Sequence, residues 1–216
     1  EIQLKPEIVK IAKYLYDHYN IKFFLTGSSR YYLKNLFPES LSGRKIIFEL
    51  FPLDFEEFLI FKGQKKVFYN SFVEKENNKS YVRYERIKKY FEEYLHYGGF
   101  PQVVLASTLE RKKEALTDIF NSYFEKEVKV LSDYKKISEF RDLILLLIKR
   151  TGTKLDINRL SSEVKVSRET VYSFLNFLEK TYFISLISPF SRSVDKEISG
   201  TKKVYFCDNG IINNLE

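Results

Sequence analysis

The stretch from Lys22 to Ser29 constrains the fold of this chain more than any other feature. It reads Lys-Phe-Phe-Leu-Thr-Gly-Ser-Ser, so a continuous apolar run ends abruptly in small polar residues. Such a run predicts a strand that is covered on both faces, as in the centre of a parallel sheet. Hydroxyl groups and bare backbone at the carboxyl end of that strand would lie where open α/β sheets bind ligands. An ordinary turn of Gly and Ser is the alternative interpretation.

The sequence around this stretch alternates between helical and strand patterns. Residues 6–19 carry apolar side chains on one helical face, namely Ile8, Ile11, Ala12 and Leu15. A second helix around 31–36 stops at Pro38, and alternating apolar residues predict a short strand over 46–50. Residues 1–54 are therefore predicted to be part of an α/β unit.

From residue 55 the pattern becomes helical, and residues 55–135 are predicted to form a helical subdomain. A strong amphipathic pattern covers 82–97, and Gly98-Gly99-Phe100-Pro101 interrupts it. Helix is predicted to resume over 103–106 and again over 109–131. The glycines allow close backbone approach at the interruption, and Pro101 fixes the direction of the chain.

Residues 136–216 show the element order of a winged helix. Three predicted helices precede two predicted strands, and Ser167 is the expected N-cap of the third helix. The helices are predicted at 140–149, 156–164 and 168–180, and the strands at 183–187 and 203–206, joined by a polar loop over 191–202. The fold class is thus α/β followed by mainly α.

Composition narrows the function classes. No apolar run approaches the length needed to cross a bilayer, and the single cysteine, Cys207, fits a reducing, cytoplasmic location. We expect Cys207 to be a small core residue rather than a nucleophile. The net charge of +7 is spread over the last two-thirds of the chain, which permits weak attraction to nucleic acid without demonstrating it. There is no Met, even at position 1, so the chain is expected to be a fragment of a longer protein.

Four motifs resemble those of a known family, the prokaryotic and often archaeal AAA-type ATPases that carry a C-terminal domain of unknown function. Glu1-Ile2-Gln3 resembles the end of the family's Walker B motif, and Leu25–Ser29 resembles its sensor-1 strand. The other two are the tract Glu39–Arg44 with Phe48–Phe58, and Tyr97–Pro101, which is similar to the family's Gly-Gly-x-Pro lid motif. Weaker similarity continues through Lys203–Gly210. The resemblance implies a partial AAA-type P-loop sheet over 1–54, a helical lid over 55–135 and a winged helix over 136–216.

The same resemblance implies ATP and Mg²⁺ as cofactors and assigns roles to residues. Glu1 would polarise the attacking water, Thr26 and Ser28 would sense the γ-phosphate, and Arg44 would stabilise the transferring phosphoryl group, in cis or in trans. Gly98, Gly99 and Pro101 would form a backbone turn against the adenine. Arg30 and Gln102 depart from the family pattern. An exposed turn arginine and a plain helix break are the alternatives for Arg44 and for the turn.

One absence limits what residues 1–216 can do alone. They contain no Gly-x-x-x-x-Gly-Lys-Ser/Thr stretch, so ATP would lack its main anchor in this fragment. We therefore expect ATP hydrolysis by the parent protein and none by the fragment.

The predicted winged helix is a second candidate site. Arg168, Tyr172 and Asn176 on its third helix, with Arg192 and Lys202 in the loop, are candidates for DNA contact. Acidic neighbours offset these basic groups, which favours a structural role or contact with a protein partner or a second copy. A non-enzymatic winged-helix scaffold is the alternative for the whole chain.

Two further chemistries find little support in the sequence. Metal-dependent nuclease activity needs a cluster such as Asp…Glu-x-Lys, and none follows Asp208 before Glu216. His18 and His96 have no Cys or paired acids nearby in sequence, so no zinc site is predicted. No membrane partner is expected.

Overall fold

The computed structural model describes residues 5, 7–27, 46–64, 71–78, 80–124 and 136–216. These residues are mostly helical. The helices are α1 (Ile8–Tyr19), α2 (Phe55–Phe61), α3 (Phe72–Asn77), α4 (Tyr81–Tyr97), α5 (Pro101–Leu105), α6 (Leu109–Tyr123), α7 (Ile137–Lys149), α8 (Ile157–Val164), α9 (Arg168–Lys180), α10 (Val194–Ser199) and α11 (Asn209–Leu215). Strands β1 (Ile184–Ile187) and β2 (Lys203–Phe206) form an antiparallel pair.

Side-chain caps explain where several helices begin. Asp54 accepts a hydrogen bond from the amide of Glu57, whose side chain accepts one from the Asp54 amide, so α2 starts in a full capping box. Asp156 caps α8. Ser167 caps α9, as the sequence predicts. Because these caps are short-range, they could be read from the sequence directly.

The hairpin follows directly after α9. Ile184 lies opposite Phe206, and Ile187 lies opposite Lys203. Lys154, between α7 and α8, forms an isolated bridge with Lys203, so a third short segment extends the hairpin edge. The predicted strand positions are confirmed to within one residue.

A single hydrophobic core joins the second half of the helical region to the C-terminal region. Leu116 and Phe120 of α6 belong to it together with Leu147 of α7 and Leu178 of α9. Val204 of β2 and Ile211 of α11 complete the same cluster. The boundary predicted at 135/136 therefore does not separate two cores, and it stays a prediction as a domain division.

The strands predicted at the start of the chain are wrong for the described residues. Residues 21–27 and 46–50 adopt no helix or strand, and Phe24 is 98% exposed. A strand needs hydrogen-bonded neighbours, and none of the described residues pairs with these segments. The partial sheet therefore is not observed here.

Other details also differ from the sequence-based expectation. In α1 the buried residues are Val9 and Ala12, whereas Ile8 and Ile11 are exposed. Helix α3 was not predicted as a separate element, α10 lies inside the polar loop predicted between β1 and β2, and α11 was not predicted. The predicted helix at 31–36 and residues 125–131 lie outside the described residues. Within the described ranges, no helix is both long and apolar enough to cross a membrane.

Candidate functional site

The Gly98–Pro101 turn joins α4 to α5 and is the best-defined part of the predicted site. Gly98 has a left-handed φ of +73°, and its amide donates to the Tyr94 carbonyl over 2.8 Å. Pro101 then occupies the first turn of α5, where its missing N–H is not needed. Both glycines are buried, and Pro101 is exposed.

The backbone of Gly99 is fully engaged by two distant segments. Its amide donates to Oδ2 of Asp208 over 2.7 Å, and its carbonyl accepts from the Leu53 amide over 2.8 Å. Tyr94 also donates its hydroxyl to the Leu53 carbonyl over 3.1 Å. The turn therefore connects the tract before α2 with the residue that precedes α11.

Glycine is required at this turn because other atoms occupy the space of a side chain. A Cβ at Gly98 would overlap the Asp208 carboxylate, and a Cβ at Gly99 would overlap the Leu53 carbonyl. Gly210 is packed in the same way against the carbonyl of Tyr97. Gly98 and Gly99 thus face protein atoms, and their contact with adenine stays a prediction.

The tract before α2 also contacts the C-terminal region. Tyr182 donates its hydroxyl to Oε1 of Glu49 over 2.9 Å, and its ring meets the Phe51 ring edge-on at 5.4 Å between centroids. Tyr182 holds a left-handed φ of +60°, unusual for a residue with a bulky side chain. Residues 49–53 therefore lie against both the Gly98–Pro101 turn and the segment that enters β1.

Of the candidate residues near the start of the chain, only Thr26 lies among the described residues. It is exposed, next to exposed Leu25. Glu1, Ser28 and Arg44 lie outside the described residues. Whether these four side chains converge stays a prediction.

The candidate DNA-contacting residues of α9 share one exposed stripe. Arg168, Tyr172 and Asn176 are spaced four residues apart and are all exposed, while Phe174 and Leu178 on the opposite side are buried. Glu169, beside Arg168, is exposed as well, so the stripe has a mixed charge.

The loop between β1 and β2 combines basic and apolar exposed residues. Arg192 and Lys202, the candidate DNA-contacting residues of this loop, are exposed. Phe190 is 94% exposed, and Val194 and Ile198 project from α10 without burial. The apolar groups were not anticipated, because the loop was predicted to be polar.

An ion cluster joins Glu93 of α4 to Lys62 at the end of α2 and to Lys112 of α6. The ammonium groups of Lys112 and Lys62 lie 2.7 and 2.8 Å from Oε1 of Glu93, and they also donate to the carbonyls of Val103 and Val104. Burial alone would raise the pKa of Glu93, but hydrogen bonds from the two lysines outweigh it and lower that pKa. Burial lowers the pKa of Lys112, against the pull of Glu93. The cluster ends α5 by satisfying its last carbonyls.

Cys207 lies between β2 and Asp208 and is unsuited to nucleophilic chemistry. Burial, with a smaller contribution from the charge of Asp208, raises the pKa of its thiol to about 12. The thiol therefore stays protonated at neutral pH. In the part of the chain that the structure describes, no three His, Cys, Asp or Glu side chains are grouped to hold a metal ion.

Sequence reasoning missed the residues that organise this site. Asp208 was considered as part of the family-like stretch Lys203–Gly210 and in connection with nuclease activity, but its contact with the turn was not predicted, and neither was that of Leu53. The available signal was the spacing Asp208-Asn209-Gly210, since an Asp followed by a weak helix former is typical of an N-cap. Its partner, Gly99, lies 109 residues earlier in the chain, and no local pattern indicates that pairing.

Comparison with known proteins places the chain in a class and then in a family. Residues 1–59 match the family described as AAA domain, so this part of the chain is similar to AAA domains. Residues 88–216 match the family described as Domain of unknown function (DUF8612), and the chain belongs to that family. The second match begins inside α4 and continues through α11 without a break.

Curated relatives come from archaea and bacteria. An uncharacterized protein of Methanocaldococcus jannaschii, MJ1544, is 31% identical over 207 residues, which cover 94% of this chain and 44% of that protein. An uncharacterized protein of Haemophilus influenzae is 26% identical over 216 residues, covering 98% of this chain and 50% of that protein. The chain therefore spans about half the length of these relatives. No solved structure matches the chain.

Proposed function

We propose that this chain is the C-terminal part of an AAA-type protein that binds and hydrolyses ATP. The observation that carries the proposal is the AAA-domain match over residues 1–59. That span contains Glu1, Thr26, Ser28 and Arg44, the residues to which the family resemblance assigns catalysis and sensing. In the proposal, Mg²⁺ and ATP would supply the phosphoryl group and its counter-ion, and these side chains would contact the phosphate and the attacking water.

The roles follow from the charge that develops during phosphoryl transfer. Glu1 orients and polarises the attacking water, and the hydroxyl groups of Thr26 and Ser28 bond the γ-phosphate. Arg44 stabilises charge on the transferring group through its guanidinium.

The Gly98–Pro101 turn would contribute the lid side of the site. Because the glycines are buried, a base would rest on the exposed ring of Pro101, with Gly98 and Gly99 behind it. The bond between Gly99 and Leu53 ties this turn to the tract that lies within the AAA match. That bond favours movement of the turn together with the tract when nucleotide binds.

Substitution of Glu1 tests the proposal in a preparation that contains the phosphate-binding loop. Glu1→Gln is expected to lower ATP turnover by at least about 100-fold, because general-base assistance is lost, while Mg²⁺-ATP still binds. Exposed Glu7, which makes no side-chain cap, provides the matched control Glu7→Gln with normal turnover. Equal turnover in the two variants would exclude the proposed role of Glu1.

We further propose that residues 136–216 form a winged helix that contacts a protein partner. The succession of three helices, a bridge at Lys154 and a hairpin supports the winged-helix assignment. Phe190, Val194 and Ile198 are exposed apolar groups of one loop, and in this proposal they form the contact with the protein partner. Contact with DNA through Arg168, Tyr172, Asn176, Arg192 and Lys202 is the competing function.

Anisotropy of a labelled DNA duplex at low salt separates the two functions. The proposal expects the same weak signal from the protein and from an Arg168→Ala/Lys202→Ala double variant, with exposed Lys149→Ala as a control for lost charge. DNA would be the partner instead if the unsubstituted protein and the Lys149→Ala control gave a strong signal that falls steeply with salt, and if the double variant lost that signal.

A further inference from the structure

Helix α11 and its N-cap, Asp208, contact three separate parts of the helical region through polar side chains. Asn213 donates from Nδ2 to the carbonyls of Leu95 and His96, at 3.0 Å each, and so satisfies the last turn of α4. Asn214 donates from Nδ2 to Oγ1 of Thr117 in α6 over 3.2 Å. A helix of only seven residues thus holds two longer helices by side chain as well as by packing.

Asp208 adds the third contact and is the most unusual of the set. It is only 5% exposed, and Oδ1 accepts from the amides of Gly210 and Ile211, as expected of an N-cap. Its other oxygen, Oδ2, accepts from the amide of Gly99. One carboxylate therefore caps α11 and also holds the turn that follows α4.

The surroundings are shaped around this carboxylate. Gly98 leaves room for it, because any side chain there would overlap its oxygens. Gly210 lets the first turn of α11 approach the Tyr97 carbonyl. Neither close approach is needed for capping alone, since Asp156 caps α8 without a distant partner.

We propose that Asp208, Asn213 and Asn214 form a clasp that makes the end of α4, the Gly98–Pro101 turn and α11 open and close as one unit. Asp208 is the positioning residue of this clasp. Because the Gly99 carbonyl accepts from Leu53, the unit extends to the tract before α2. Displacement of that tract would therefore reach α11 through Gly99 and Asp208.

Amide hydrogen exchange in the protein without nucleotide tests the clasp directly. Asp208→Asn keeps the size of the side chain but cannot offer acceptors to both Gly99 and α11. We expect exchange to rise by at least about tenfold at the amides of Gly99 and Leu53 and along α11. Exchange in α8 and α9 should not change.

Asp156→Asn is the matched control, because it alters an Asp cap that serves only its own helix. It should raise exchange in α8 and leave Gly99 and Leu53 unchanged. If Asp208→Asn loosens α11 while the Leu53 amide keeps its protection, Asp208 is an ordinary cap and the proposal is wrong.

A second variant keeps the test valid if Asp208→Asn does not fold. Asn213→Asp removes both donors to the α4 carbonyls, and Asn209→Asp makes the same chemical change at an exposed position of α11. Only Asn213→Asp should raise exchange at the end of α4, at Gly99 and in α11 together. Opening of α11 without Gly99 would contradict the proposal, and neither result depends on ATP hydrolysis.

Discussion

Residues 21–27 and 46–51 contrast sharply with residues 136–216 in how they use apolar side chains. Phe24 and Leu50 are almost fully exposed, whereas Leu143 and Leu147 are fully buried. Both regions are rich in apolar residues. Among the described residues, those of the first region stay mostly exposed, although Phe51 packs against Tyr182, whereas many of those in the second pack into a core. The comparison indicates that the apolar side chains of the first region find little cover among the described residues, whereas those of the second are buried in the core that it shares with α6.

The largest expected effect comes from removing a ring at the centre of the shared core. Phe140 contacts the rings of Phe174 and Phe177 and is almost fully buried. Phe140→Ala should lower the free energy of unfolding by about 3–5 kcal/mol, because it leaves a cavity. Denaturant unfolding measures this, and a loss below about 1 kcal/mol would show that the region is loosely packed.

A smaller loss is expected at the Gly98–Pro101 turn. Gly98→Ala and Gly63→Ala introduce the same strain, because the two glycines have φ values of +73° and +74°. Only the first meets a neighbour, the Asp208 carboxylate. Gly98→Ala should therefore cost about 1–3 kcal/mol more in unfolding free energy than Gly63→Ala. Equal costs would mean that the turn gives way easily.

The ion cluster of Lys62, Glu93 and Lys112 is expected to contribute a similar or smaller amount to the free energy of unfolding. Lys112→Met removes the buried ammonium that bonds Glu93 and the Val103 carbonyl. We expect a loss of about 1–3 kcal/mol, because buried acceptors lose their donor. Lys113→Met, at the exposed neighbouring position, should change thermal stability little, and the reverse order would contradict the burial assigned to Lys112.

A pH dependence is expected from Asp208. Burial raises its pKa, although three backbone amides that bond the carboxylate oppose the shift. The folded state then binds a proton more tightly than the unfolded state, so this contribution to stability is complete below the ordinary pKa of aspartate. It is lost as pH rises through the raised folded value. Burial raises the pKa values of Tyr94 and Cys207, and the negative charge of nearby Asp208 raises them further.

Unfolding free energies measured from about pH 4 to 7 check this sign. Asp208→Asn should remove the decline with rising pH that Asp208 causes in the unsubstituted protein. If the variant instead removes a rise in stability over this range, hydrogen bonding outweighs burial at this carboxylate.

The smallest effect is expected at Phe24. Because its side chain is 98% exposed, Phe24→Ala should change the free energy of unfolding by less than about 0.5 kcal/mol. A loss comparable to that of Phe140→Ala would show that residues 21–27 are packed in solution and would remove the contrast between the two regions.

Periodicity predicted the C-terminal elements well because their partners lie nearby in sequence. The limits of α9, β1 and β2 agree with prediction to within one residue, and the Ser167 cap is where expected. Helix α11 was missed because Gly210 and its Asn neighbours are weak helix formers, and packing with a distant α4 outweighs that tendency.

The prediction of strands at the start of the chain was wrong for the opposite reason. Apolar runs such as Phe23–Leu25 fit a buried strand, but a strand forms only beside neighbours that supply its hydrogen bonds. The candidate site was predicted only as far as its local motifs. The sequence marked Gly98, Gly99 and Pro101 as special without indicating that Asp208 and Leu53 fill the space beside them.

The close fit at Gly98, Gly99 and Gly210 restricts how this protein can evolve. At each position an atom of another residue occupies the space that a side chain would need. A larger residue there therefore requires a compensating change in the neighbouring residue. Positions 98 and 208 should therefore vary as a pair among relatives, and a larger residue at 98 should accompany a smaller one at 208. A change at both positions would pass through a less stable protein that carries only one of the two substitutions. The Gly98–Pro101 turn and α11 should therefore diverge more slowly than the exposed loop around Phe190.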